Sequence, residues 1–134
     1  MMRPETALVY TMVLVSAADG EMTDNELARI GDTVRTLPVF RDYEPDRLAT
    51  EAEACAEALA GEDGLETVLD LIATALPAKL AETAYAVACD VAAADDKVAQ
   101  EEARLLEMLR HRLAVDRLSA AAIERGARAR HRTL

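Results

Sequence analysis

Apolar residues recur three or four positions apart along most of the chain, the spacing that lines up one side of a helix. Leu8, Met12 and Val15 predict a first helix over about residues 5–18. Leu27, Ile30, Val34 and Leu37 predict a second over about 24–37, ended by Pro38, with a loop over 39–44. Pro45, tolerated in a first turn, opens a third over about 45–60, and Gly61 closes it. Leu65, Val68, Leu69, Ile72 and Leu76 predict a fourth over about 64–76. Pro77 restarts the chain, and Leu80, Ala84, Val87 and Val91 predict a fifth that runs to about 94. Leu105, Leu106, Leu109 and Leu113 mark a sixth over about 99–114. Ser119 is expected to cap a last helix to about 130. No stretch alternates as a strand would, so the fold class is all-α with about seven helices.

The pattern repeats. Asp95 follows Asp19 by 76 positions, and at that offset Val15, Ala17, Ala18, Asp19 and Glu26 fall on Val91, Ala93, Ala94, Asp95 and Glu102. Met22 and Val98 are both apolar, and Ile30 falls on Leu106. Each copy is an apolar helix, a four-residue acidic turn and an amphipathic helix. Self-similarity at a fixed offset is a structural signature. The chain therefore reads as one domain over residues 1–134, with copies at about 5–37 and 77–114 and a basic tail at 125–134. Two such helix pairs can pack about a pseudo-twofold axis, which would place the two acidic turns in comparable positions.

The acids of the two copies differ in what explains them. Thr23-Asp24-Asn25-Glu26 is a capping box, in which the Thr23 hydroxyl and the Glu26 carboxylate each satisfy the other residue's backbone N–H. That accounts for Glu26 by structure alone. In the second copy the cap position is Ala99, which has no side-chain oxygen, yet Glu102 remains. At ~100° per residue, Leu106, Leu109 and Leu113 lie within about 40° of Glu102. Glu102 should therefore point inward, where a carboxylate needs a hydrogen bond, a counter-charge or a metal. Glu101 should face solvent. Asp19 and Asp95 end their helices, so each either closes an Asx-turn or joins the helix-end carbonyls in a hard-oxygen site. Such a site suits Ca²⁺, Mg²⁺ or Mn²⁺ over Zn²⁺. The stretch from Asp19 to Glu26 is too short for an EF-hand loop. No His or Cys sits a helical turn from His111, which reads as solvent-exposed.

Composition narrows the function classes. The chain carries 25 acidic residues against 15 Lys and Arg, a net charge of −10, which argues against nucleic acid and anionic lipid as partners. The exception is the tail, where Arg125, Arg128, Arg130, His131 and Arg132 follow the last acid, Glu124. It is expected to be a solvated, frayed helix end. Cys55 and Cys89 sit in Ala-rich stretches and read as small buried hydrophobes in a reducing, cytoplasmic setting. No signal peptide is evident, and no apolar run reaches the roughly 20 residues of a membrane span. The best candidate, residues 84–94, is interrupted by Asp90. No phosphate loop, CxxC or paired nucleophile is visible, so an enzyme is not expected.

At these residues the chain resembles the tellurite-resistance TerB-like family. The resemblance rests on Ala17-Ala18-Asp19-Gly20-Glu21-Met22-Thr23 with Glu26, on the second copy at 93–102, on the Pro77 helix start and on the Leu113-Ala114-Val115-Asp116 exit. It covers about residues 5–125. It implies an all-α TerB-like bundle of about seven helices with pseudo-twofold symmetry, and a divalent-cation site built from acids of both repeats. It also implies a cytoplasmic binding or scaffold component of tellurite and general stress responses that works near the membrane. Carried over, the ligands are Asp19, Glu26, Asp95 and Glu102. The chain departs from the pattern at Asp96, where copy one has Gly20. The extra acid is a fifth candidate ligand, and it takes the place of the glycine of the first turn. The expected function is thus a non-enzymatic divalent-cation-binding or sensing module. The alternative is a structural protein–protein interaction domain whose acids only cap helices. A protein partner, membrane-associated or not, and a homodimer are both compatible with either reading.

Overall fold

Pro4 opens a helix, α1 (Pro4–Ser16), that is buried on every side from Thr6 to Ser16. The stripe of Leu8, Met12 and Val15 is only part of what it buries. In this computed structural model α1 is packed by α2 (Asp24–Thr36), α3 (Leu48–Ala60), α4 (Gly64–Ala75), α5 (Ala81–Ala93) and α6 (Gln100–Arg112). A helix surrounded in this way has no solvent face to keep polar. A seventh helix, α7 (Arg117–Arg130), lies along α5. The structure describes every residue except Met1, Asp19, Glu21 and residues 95–99. Asp19, Asp95 and Asp96 therefore lie outside the described residues.

The described residues are all-α, as the spacing predicts, with differences at the helix starts. Pro38–Phe40 forms a 3₁₀ turn that leads from the terminating proline into the predicted loop. Pro45–Arg47 is likewise 3₁₀, so the α-helical part of the third helix begins at Leu48. The fifth helix also begins with a 3₁₀ turn, Ala78–Leu80. Proline sets φ for a tight turn at Pro38 and Pro45, but each has no N–H to give. Between α3 and α4 the chain turns through Asp63 at φ 55° into Gly64. A Cβ on Gly64 would sit 2.1 Å from the Leu59 carbonyl oxygen, which only glycine avoids.

One expectation at the C-terminal end is corrected. The cap of α7 is Asp116, not Ser119. The Ser119 N–H and hydroxyl donate to the Asp116 carboxylate at 2.9 and 2.8 Å, and these bonds hold its pKa below the ordinary value. α7 stays helical to Arg130, where the sequence places its end, and Arg125, Arg128, Arg130 and Arg132 are exposed. Ala120 and Ala127 are buried against Tyr85, Cys89 and Val115, a small cluster distinct from the main core. Small side chains let α7 lie close on α5, and Arg130 donates to Asp90 on α5 at 2.6 Å. No helix among the described residues is long and apolar enough to cross a membrane.

Candidate functional site

The first copy is built as its sequence dictates. Thr23 caps α2, its hydroxyl accepting the Glu26 N–H at 3.1 Å, while the Glu26 carboxylate accepts the Thr23 N–H at 2.8 Å. Asp24 adds a second acid to the first turn, where the helix dipole favours it. Glu26 is half-buried and lines a cleft of 220 Å³ together with Ser16, Asp90, Val91 and Ala94. Glu26 is thereby brought to the C-terminal end of α5. The contacts of α5 with α1 and α2 place it there.

That cleft contains groups the sequence reading did not assign. Ser16 is 1% exposed, and its hydroxyl has no hydrogen-bond partner among the described residues. Asp90 accepts from Arg130 at 2.6 Å and lies 3.5 Å from His131 Nε2. The signal for Asp90 was present as the lone charge in the apolar run 84–94. Its partners lie 40 residues on and were not legible from spacing.

The second copy supplies Glu102. It is 4% exposed in the first turn of α6, on the side that buries Leu105 and Leu109. Glu101 beside it is exposed. Both positions follow the helical arithmetic. His111 is exposed as expected. Among the described residues, no three His, Cys, Asp or Glu side chains converge as a metal-binding group.

A second buried carboxylate, Glu51 on α3, is held by three side chains. Thr6 donates to it at 2.8 Å, Tyr43 at 2.5 Å and Arg47 at 3.1 Å. Burial, and then this hydrogen bond, push the Tyr43 pKa up from 10.0. The sequence analysis did not single out Glu51. Its position three after Leu48 and four before Cys55 puts it on the buried side of α3, which was the available signal.

The two cysteines are buried and unpaired. Burial pushes each thiol from 9.0 up to about 12. Both are therefore protonated at neutral pH, and a thiol is a poor nucleophile and a poor metal ligand.

Comparison with known proteins adds one finding. Residues 5–125 match the model of the family described as tellurite resistance protein TerB. Comparisons with curated proteins and with solved structures return no match.

Proposed function

The chain belongs to the tellurite-resistance TerB family, and we propose that it is a non-enzymatic module that binds or senses a divalent cation in a tellurite or stress response in the cytoplasm. Its ligands are drawn from Asp19, Glu26, Asp95, Asp96 and Glu102. All are hard oxygen donors, which favours Ca²⁺, Mg²⁺ or Mn²⁺ over Zn²⁺. The observation that carries the reading is the burial of Glu102 in the register that copy one fills with the capping glutamate Glu26. Ala99 has no side-chain oxygen, so the reciprocal box that Thr23 and Glu26 form has no full counterpart there. The cleft shared by Glu26 and the end of α5 supports a site drawn from both copies about a pseudo-twofold axis.

Thermal unfolding of chelator-stripped protein tests this. A cation that binds only the folded state adds about 2.7 kcal/mol at 100 times its Kd. Millimolar Ca²⁺, Mg²⁺ or Mn²⁺ should raise Tm in the wild type and not in Glu102→Gln. An unchanged wild-type Tm, or an equal rise in Glu102→Gln, contradicts the assignment.

A further inference from the structure

An open apolar slot of 1020 Å³ runs between α3 and α6, floored by Val13 and Leu14 of α1. Its α3 wall is Ala49, Ala52, Ala56 and Ala60, spaced three or four apart and so on one side of that helix. Small side chains there let another backbone approach closely. Met22, Leu27, Leu59, Leu65 and Met108 also line the slot, and each is only partly buried. These are large apolar groups that the fold leaves incompletely covered. A groove with exposed apolar walls offers a partner helix a place for its own apolar face.

The shape and charge of the slot select its occupant. The alanine wall spans roughly 16 Å at 1.5 Å per residue, the length of about three helical turns. Two helical walls offer ridges and grooves into which a third helix packs. Glu53 on the α3 wall and Glu101 on the α6 wall are both exposed, and they attract cations on either flank of an incoming apolar stripe. Arg104 also lines the α6 wall and leaves a place for one acid. The net charge of −10 steers basic segments toward the protein. We propose that this slot receives an amphipathic helix of about three turns from a partner protein, with an apolar face and basic flanks. Ala18, Gly20 and Glu101, sequence neighbours of the proposed ligands Asp19 and Glu102, also line the slot, and peptide binding by metal-free protein distinguishes the two readings.

The test uses a synthetic 14-residue helix with Leu and one Trp on one face and Lys on both flanks, beside a counterpart with Glu on the flanks. The chain has no Trp, so peptide emission reports burial without interference. The Lys-flanked peptide should bind with a blue shift and a Kd on the order of 10 µM, a typical weak helix-in-groove affinity. Ala56→Phe fills the slot from an exposed position and should weaken binding at least about tenfold, or 1.4 kcal/mol. Glu53→Lys/Glu101→Lys should transfer the preference to the Glu-flanked peptide. Equal binding to wild type and Ala56→Phe would reduce the effect to general charge attraction and overturn the proposal. So would the absence of binding at millimolar peptide, or equal affinity for both peptides. It is also overturned if Ala56→Phe instead abolishes self-association in sedimentation, or abolishes dodecyl-amphiphile uptake with no helix bound.

Discussion

The Glu26 carboxylate accepts the Thr23 N–H at 2.8 Å while the Thr23 hydroxyl accepts the Glu26 N–H at 3.1 Å. A single side chain is therefore asked to cap α2 and, in the proposed site, to bind a cation. The two roles separate by mutation. Thr23→Ala should destabilise the protein by about 0.5–2 kcal/mol in urea unfolding. Glu26→Gln keeps an acceptor in the box and should cost less, yet it should weaken cation binding because the charge is gone. If Glu26→Gln leaves cation affinity unchanged, Glu26 is a cap and nothing more.

Glu51 gives a second prediction. Tyr43→Phe removes a hydrogen bond to a buried carboxylate and should cost about 1.5–3 kcal/mol. The Tyr43 pKa lies above its ordinary 10.0, so the folded state holds a proton that the unfolded chain releases. Its stabilising contribution is complete below pH 10 and is lost as pH rises further. Urea unfolding from pH 9 to 11 should show that loss in the wild type and less of it in Tyr43→Phe.

Cys55 and Cys89 behave alike in this respect. Each folded thiol is pushed from 9.0 up to about 12, so stability is complete below about pH 9 and falls as pH climbs toward 12. A thiol-specific disulfide reagent at pH 8 should label the native protein slowly and the urea-unfolded protein at once. Rapid labelling of both thiols in the native state would contradict the burial of both.

Gly64 is fixed by sterics rather than by flexibility alone. A Cβ there meets the Leu59 carbonyl oxygen at 2.1 Å, backbone that cannot rotate away. Gly64→Ala should destabilise by about 1–3 kcal/mol, the usual cost of overpacking. Gly61→Ala, whose Cβ would find the nearest atom at 3.5 Å, should cost less in the same denaturation series.

The helices were legible because their signals are local. Proline and glycine mark the breaks, and the apolar spacing of α2, α4 and α6 follows the side each one buries. The all-round burial of α1 was less legible, since it depends on how many helices surround it rather than on its own spacing. Glu26 and Glu102 were found in the sequence because a capping box and a helical angle are short-range quantities. Thr6 on Glu51 and Arg130 on Asp90 were missed for the opposite reason, as they lie 45 and 40 residues away, whereas Arg47, four residues before Glu51, was a local signal left unread. The tail's arginines pointed to solvent, where they lie, but not to Ala120 and Ala127, whose packing holds α7 on α5.

Calorimetric titration of Ca²⁺, Mg²⁺, Mn²⁺ and Zn²⁺ into the wild type and into Asp95→Asn/Glu102→Gln tests the central claim most directly. The account predicts submillimolar binding of at least one of Ca²⁺, Mg²⁺ and Mn²⁺ to the wild type, and its loss in the double variant. Wild-type protein that binds none of them below millimolar concentration, or a double variant that binds as well as the wild type, would contradict it.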